Sequence, residues 1–519
     1  MLRNLALVAV FLLVLGCINF INLNTAQATQ RAKEVGIRKT LGSSRKQLVG
    51  QFMGETFLLV LLSSLLSIAM SKWLLKVFAD FVPQGLDSDL LFSPWAILGI
   101  ISLLLLVTFL SGFYPALVLS KFNTVAVLSN KLTLGDRKAK LRKTLTVFQF
   151  AIAQVFIIAT LLVGKQIKFL LTKDMGFETE AIASVYRPIT DLQFSKLELF
   201  ANRLKTISEI DQITIANNPP ASYSSSITDM TRMIDSIEVH NDIYLLQGDT
   251  NYSEVFNINI LAGSTRKNDT IRELVLNETA IGVFGFERPE SAVGQMLNYD
   301  GDLLPIVGVM QDFHHSSMRE EIKPMALIGD WYRPHSHQFQ SVSMSIYPDE
   351  YGGLTGALEK VRREYNAIYP DTDMRLEFMD ETVASFYNSE KKIATLLKWA
   401  TGLSILISCL GLLGLVIFTT NRRVKEIGVR KVLGASVIQI NALICKEFII
   451  LVGVAFLIAV PIAYYSTHEW LKDFQYKTAM SWWVFLLSGV SMIAFSLLVM
   501  GIRTLKAARS NPVNSLRSE

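Results

Sequence analysis

Ala32-Lys33-Glu34-Val35-Gly36-Ile37-Arg38-Lys39-Thr40-Leu41-Gly42-Ser43-Ser44 recurs 392 positions later as Val424-Lys425-Glu426-Ile427-Gly428-Val429-Arg430-Lys431-Val432-Leu433-Gly434-Ala435-Ser436. The register holds without a gap beyond the motif, for the same shift carries Glu55 onto Glu447 and Cys17 onto Cys409. Each copy leads into the same kind of apolar run. An ungapped echo over dozens of residues reads as one membrane unit present twice, and a repeat decides architecture before any local feature.

The composition agrees. Half of the residues are hydrophobic and the mean hydropathy is +0.35, too apolar for an ordinary soluble protein of this length. Seven segments reach the roughly 20 residues that a bilayer requires: about 2–24, 52–75, 95–119, 144–164, 393–419, 447–466 and 482–503. Between the fourth and fifth lies a polar stretch, about 165–392, long enough for a domain of its own. Cys17, Cys409 and Cys445 all fall in or beside apolar segments, so that domain folds without disulfides. The net charge of +5 is held at helix ends, which argues for membrane orientation and against nucleic acid.

Basic residues near helix ends stay in the cytoplasm. Connection 25–51 carries Arg31, Lys33, Arg38, Lys39, Arg45 and Lys46, and connection 120–143 carries Lys121, Lys131, Arg137, Lys138, Lys140, Arg142 and Lys143. Connection 420–446 carries Arg422, Arg423, Lys425, Arg430, Lys431 and Lys446, and the tail adds Arg503, Lys506, Arg509 and Arg517. The alternate loops are poor in positive charge: 76–94 sets Lys76 against Asp80, Asp87 and Asp89, and 467–481 is balanced. The alternation places the C-terminus in the cytoplasm and the 165–392 domain outside. It also places Met1 outside, and only the second half has a span and a domain ahead of its three spans. The expectation is an N-terminally shortened version of a two-by-four permease. Val14-Leu15-Gly16-Cys17 admits a rival reading as a lipoprotein signal. Cleavage there would put the first basic motif on the wrong side, and Cys409 holds the matching place in an internal span.

The repeated motif ends one helix, turns at Gly42 or Gly434, and restarts another after Ser43/Ser44 or Ala435/Ser436, where an N-cap residue belongs. Leu48 and Phe52 then fall at i, i+4, matched by Ile440 and Ile444. That spacing predicts a short apolar ridge suited to a groove on a partner protein. The Lys-Glu and Arg-Lys pairs beside it suit rim ion pairs that set orientation. The plainer reading is a positive anchor with snorkelling side chains. Anchoring needs charge but not order, and the order Glu, Gly, Arg, Lys, Gly recurs. Glu55 and Glu447 begin their spans at the membrane boundary, either as partners of the basic loop or as interfacial carboxylates.

Lys-Glu-(Val/Ile)-Gly-(Ile/Val)-Arg-Lys-x-Leu-Gly-(Ser/Ala) resembles the signature of the MacB/FtsX-like ABC transporter permeases, the mechanotransmission class. Asn123-Thr124-Val125 and Asn511-Pro512-Val513 are similar to that family's terminal box, with Thr124 replacing the proline in the first copy. The resemblance favours the fused permeases of Gram-negative bacteria. It implies that each turn leads a coupling helix onto a cytoplasmic ABC ATPase dimer. The coupling residues would be Lys33, Glu34, Gly36, Arg38, Lys39, Gly42, Leu48 and Phe52, with Lys425, Glu426, Gly428, Arg430, Lys431, Gly434, Ile440 and Ile444. No Gly-x-x-x-x-Gly-Lys-(Ser/Thr) occurs in the sequence, and Gly263-Ser264-Thr265-Arg266-Lys267 does not fit it. ATP and Mg are therefore expected on the partner, with no cofactor and no enzymatic centre in this chain.

Residues 165–392 mix strand-like runs at 183–186, 212–215, 243–246, 304–309 and 341–346 with amphipathic helices near 193–209 and 353–367, an α+β pattern. Leu276-Asn277-Glu278-Thr279-Ala280 and Val307-Gly308-Val309-Met310-Gln311-Asp312-Phe313-His314 resemble strands and turns of the family's periplasmic core domain. His314 and His315 with His335-Ser336-His337 make a zinc site conceivable. Adjacent histidines in a strand face opposite ways and no cysteine assists, so no metal is expected. Asp312, His314 and Ser316/Ser317 lack the ordered spacing of a hydrolase triad, so no catalytic residue is expected.

The sequence thus reads as an α-helical polytopic protein of a bacterial inner membrane, with about seven spans. Its parts are a first FtsX-like repeat (1–130), a linker and extra span (131–164), an α+β periplasmic core domain (165–392) and a second FtsX-like repeat (393–519). The expected function is a permease subunit for export or extraction of lipoproteins, peptides or antibiotics, touching membrane lipid and a periplasmic adaptor or substrate. No row of charges in the spans marks an ion path. A non-transporting regulator of a cell-wall enzyme or antibiotic sensor is the alternative, and an inactive shortened permease is another.

Overall fold

The computed structural model describes residues 2–81, 92–120, 136–269, 271–329, 339–347, 353–422, 426, 429–430 and 433–508. In chain order its principal helices are α1 (Leu2–Thr40), α2 (Arg45–Val77), α3 (Pro94–Ser120), α4 (Asp136–Thr172), α5 (Phe194–Leu204), α6 (Gly353–Ile368), α7 (Met379–Ser385), α8 (Asn388–Arg422), α9 (Val437–Lys472) and α10 (Trp482–Ala508). Seven of these, α1 to α4 and α8 to α10, are long and apolar enough to cross a membrane. The number agrees with the sequence reading, and the chain is an α-helical polytopic membrane protein with an α+β domain. Two compact units divide it: residues 1–165, 389–471 and 479–519 form one, and residues 166–388 with 472–478 form the other.

In the helical unit the backbone groups in the middle of each long helix pair along that helix, as hydrocarbon demands. Since lipid tails are as apolar as leucine, association rests on close packing and polar contacts. A Cβ on Gly112 of α3 would lie 2.9 Å from Thr56 Oγ1 of α2, and one on Gly414 of α8 would lie 2.8 Å from Leu23 of α1. The first approach meets the stiff, branched Thr56 side chain and needs glycine, whereas the second meets only the flexible end of Leu23. Gln149 of α4 donates to the Ile407 carbonyl (3.0 Å), Gln154 donates to the Val452 carbonyl (3.2 Å), and the Thr160 and Thr401 hydroxyls meet at 2.7 Å. Phe150, Ala153 and Ile157 of α4 pack with Leu412 and Val416 of α8 and Phe448, Val452 and Ala455 of α9.

Among the described residues the α+β unit has eleven strands: β1 (Ile182–Tyr186), β2 (Ile210–Ala216), β3 (Ser226–Ile234), β4 (Ile237–Gln247), β5 (Ile260–Gly263), β6 (Leu274–Asn277), β7 (Met296–Tyr299), β8 (Asp302–Met310), β9 (Met325–Ile328), β10 (Ser341–Ile346) and β11 (Arg375–Phe378). One antiparallel sheet runs β11-β1-β10-β2. Leu197 and Phe200 of α5 and Val361 and Tyr365 of α6 pack with Val185, Ile213, Ile215, Val342 and Met344 of this sheet. The second sheet runs β5-β8-β6-β9-β4-β3-β7, and β7 also pairs with β8. That extra pairing closes a ring of six strands around Leu274, Leu276, Leu297, Ile306, Val309 and Ala326. Two hairpins feed the ring through two-residue turns, Asp235-Ser236 and Asp300-Gly301, with positive φ at both central residues, the geometry that matches strand twist.

The two sequence stretches read as strands and turns meet after β6 and β8. Asn277 caps the short helix 278–283 by accepting from Ala280 N–H (2.9 Å), accepts from Met325 N–H (2.8 Å) and donates to the Lys323 carbonyl (3.0 Å). Asp312 accepts from Thr279 N–H and Oγ1, at 3.0 and 2.7 Å, and Glu278 accepts from Asp312 N–H at 3.1 Å. Their polar side chains are thus spent on holding backbone.

Candidate functional site

Each copy of the repeated motif closes a helix in the same way. In the first, Ser43 N–H donates to the Arg38 carbonyl (3.0 Å) and Gly42 N–H to the Lys39 carbonyl (3.1 Å). Gly42 stands at φ +96°, so this is a Schellman closure that only glycine adopts at little cost. In the second, Ala435 N–H donates to the Arg430 carbonyl (2.9 Å) and Gly434 stands at φ +91°. The next helix starts on a capping box in both. Ser44 Oγ accepts from Gln47 N–H (3.3 Å) while Gln47 Oε1 accepts from Ser44 N–H (2.8 Å), and Ser436 and Gln439 repeat the pair at 3.3 and 2.9 Å. Of the serines after each glycine, Ser44 and Ser436 are the caps.

The charges of the motif are spent locally. Arg38 pairs with Glu34 (2.7 Å) one turn back and donates to Gln51 Oε1 of α2 (2.8 Å). Arg430 repeats the first pair with Glu426 (2.8 Å). Lys39 donates to the Ser120 carbonyl at the end of α3 (2.8 Å). Glu55 pairs with Arg31 of α1 (2.8 Å), and Glu447 lies 4.0 Å from Lys143 of α4. Gly36 is buried beside Val35. The side chains of Lys33, Ile440 and Ile444 lie outside the described residues, as do Lys425, Gly428 and Lys431, the two terminal boxes 123–125 and 511–513, and His335 and His337.

Two expectations need correction. No separate coupling helix follows the turn, for α2 runs unbroken from Arg45 to Val77 and α9 from Val437 to Lys472. Nor is the Leu48/Phe52 ridge open to a partner. Leu48 is 2% exposed and Phe52 7%, both packed with Val35 of α1 and Ala116 and Leu119 of α3. The ridge is the face on which α2 meets its own bundle. Among the described residues, the most exposed apolar side chain at each turn is a leucine: Leu41 is 81% exposed and Leu433 80%. They occupy equivalent positions, just ahead of the positive-φ glycine. The repeat contains them, but only the packing of α2 shows that they, and not Leu48, face outward.

In the α+β unit, segment 472–478 packs against the residues around His314. Tyr476 lies under the Lys173 ammonium (3.4 Å from the ring centroid) and edge-on to His314 (4.8 Å). His315 turns elsewhere, with Nδ1 2.5 Å from the Pro220 carbonyl oxygen. Among the described residues no group of three or more His, Cys, Asp or Glu could hold a metal ion. Burial, then the nearby Lys173 charge, pushes His314 below the usual imidazole range against a smaller opposing pull from Asp312, and burial pushes His315 the same way. A depressed imidazole is neutral in both states above the unfolded pKa of roughly 6.5, so it exacts no penalty there. As pH falls below that value the unfolded chain binds more protons and stability drops. Between pH 7.5 and 5.5 the thermal unfolding midpoint of the full chain should therefore fall relative to that of His314→Gln/His315→Gln, the difference between the two proteins isolating these histidines from the other groups that titrate in the same window.

Residues 6–124 and 400–512 match the family model described as FtsX-like permease C-terminal. The macrolide export ATP-binding/permease protein MacB of Chromobacterium violaceum is 33% identical over 127 residues, 24% of this chain and 19% of that protein. Its namesake in Burkholderia cenocepacia is 33% identical over 125 residues, 24% of this chain and 18% of that protein. The match thus spans about a fifth of the length of these curated relatives. Among solved structures, the periplasmic region of MacB from Actinobacillus actinomycetemcomitans aligns with 41% of this chain and 94% of its own, with 15% identity and a TM-score of 0.31.

Proposed function

We propose that this chain, whose two membrane halves are FtsX-like permease units, is the transmembrane subunit of an ABC transporter driven by a separate ATPase dimer. The supporting observation is the doubled turn, in which both halves carry the same closure at glycine, the same capping box and the same exposed leucine. Each ATPase subunit receives one turn, with Leu41 or Leu433 as its apolar anchor and the Glu34–Arg38 and Glu426–Arg430 pairs bracing the helix end behind it. ATP and Mg²⁺ are held by the partner. Closure of the two ATPase subunits moves the ends of α1, α2, α8 and α9, and the α+β domain moves in response.

Loop charge sets the orientation, with the turns and the C-terminus in the cytoplasm and domain 165–392 in the periplasm, within a bacterial inner membrane. The repeats are assigned to 1–130 and 393–519, with 131–164 as linker and extra span. Cargo is met on the periplasmic side, in the class of lipoproteins, peptides or antibiotics, with or without a periplasmic adaptor.

The test is affinity purification from native membranes of the wild type beside Arg38→Glu/Lys39→Glu/Arg430→Glu/Lys431→Glu, with partners identified by mass spectrometry. An ABC ATPase that accompanies the wild type and is lost from the variant is the expected result. Because Arg38 and Lys39 also tie α1 to α2 and α3, the variant must match the wild type in thermal unfolding for the loss to count. An ATPase that stays bound to a folded variant contradicts the assignment.

A further inference from the structure

The α+β unit holds a cleft of about 810 Å³ that ATPase coupling does not use. Its floor is one end of the four-stranded sheet, where Arg375 of β11, Tyr186 of β1, Gln340 ahead of β10 and Asn217 after β2 lie side by side. Residues of the 218–226 loop and α7 complete its lining. All four residues of β11 line the cleft, although successive side chains of a strand point to opposite faces. Leu376 and Phe378 pack into the core beneath α5 and α6. What borders the cleft along the whole of β11 is therefore the edge of the strand, which pairs with β1 and, among the described residues, with no other strand.

Short charged edge strands usually guard against unwanted pairing, and β11 is both short and charged. Protection alone does not require a cleft lined with amides and hydroxyls, at a volume within the roughly 300–1,000 Å³ of ligand sites. Tyr223 in that lining is 73% exposed, yet its ring is held edge-on to Phe386 (4.9 Å) and its hydroxyl lies 2.9 Å from Ser385 Oγ. A pre-ordered exposed tyrosine offers contact area at low entropic cost. Arg375 is paired with Glu377 (2.7 Å), which leaves Glu381 as the excess charge of the lining. Asn217 donates to Gln247 Oε1 (3.2 Å) and Asn218 to the Ser224 carbonyl (3.5 Å), and an acyl chain would bury the rest of this polar lining without offering it a hydrogen bond, which is expensive.

We propose that this cleft binds an extended peptide, which adds to the four-stranded sheet beside β11 and turns a basic side chain toward Glu381. The inference rests on the permease reading only in taking the peptide to be the cargo; binding itself needs neither ATPase nor nucleotide. Main-chain pairing to the edge supplies affinity and the side-chain positions supply selection, as in other strand-addition sites.

Full-length protein in nanodiscs, without ATPase, is incubated with a pool of random hexapeptides and with a backbone N-methylated pool, and retained peptides are identified by mass spectrometry. The wild type should retain peptides rich in lysine or arginine and should not retain the N-methylated pool. Glu381→Lys should cut retention of basic peptides, and Tyr223→Ala retention overall, each by about tenfold or more. Both residues are exposed, and an unchanged unfolding midpoint confirms the fold. No retention, equal retention by wild type and variants, equal retention of the N-methylated pool, or displacement by maltohexaose would each overturn the proposal. None of these outcomes bears on ATPase copurification, so either reading can fail alone.

Discussion

Leu41→Asp combined with Leu433→Asp is expected to lower the affinity of the chain for its ATPase by roughly a thousandfold. An apolar anchor in a desolvated pocket is worth about 2 kcal/mol or more on truncation, about thirtyfold at one tip. In the proposed complex the two tips meet separate ATPase subunits, so their effects should nearly add. Both leucines are about four-fifths exposed, and surface substitutions of this kind leave stability within roughly 0.5 kcal/mol. Titration of purified ATPase onto nanodisc-held protein measures the first effect, and thermal unfolding checks the second. Leu48→Ala makes the contrast. Its side chain is buried between α1 and α3, so it should destabilise the bundle by about 2–5 kcal/mol without touching the docking surface.

The second large effect is expected in the α+β unit. Gln166 is fully buried; it donates to the Tyr476 carbonyl at 2.9 Å and accepts from Thr478 N–H at 2.8 Å. Gln166→Leu nearly keeps the volume and removes both bonds, leaving a buried Thr478 N–H unpaired at about 1–3 kcal/mol and a part-buried Tyr476 carbonyl at less. Hydrogen exchange at the Thr478 amide should accelerate by roughly a hundredfold, the equivalent of about 3 kcal/mol of local opening. The amides of β1 and β10 should keep their protection. Unchanged exchange at Thr478 would mean that the contacts of Tyr476 with Lys173 and His314, or of Phe474 with Arg319 (4.6 Å), hold segment 472–478 by themselves.

What the sequence disclosed follows from which signals are periodic. The seven spans and the duplication were legible because the bilayer sets a length and the repeat sets a register. Strands β1, β2, β4, β8 and β10 were legible as runs rich in β-branched or apolar residues. The four-residue strands β5, β6, β7, β9 and β11 are too short to show a period. Asp300-Gly301 is a local hairpin signal of the kind sequence does carry. At the turns, glycine and the serine caps could be read locally because their bonds lie within a few residues. The fate of Leu48 and Phe52 could not, since an i, i+4 pair marks an apolar face without saying whether a partner protein or α3 covers it. Leu41 and Leu433 became candidates only once that face was occupied. The peptide cleft left no motif, because its residues come from positions 186 to 385 and meet only at one end of a folded sheet.

The central claim is that ATP-driven movement enters this protein at its two turns. With Cys17, Cys409 and Cys445 replaced by serine, spin labels on Ser43→Cys and Ala435→Cys would report the distance between the turns by pulsed electron resonance, in nanodiscs with the copurified ATPase. A distance distribution that shifts by several ångströms on trapping ATP, and does not shift in Leu41→Asp/Leu433→Asp, is the predicted result. An unchanged distribution in wild-type complex that is hydrolysing ATP would contradict it.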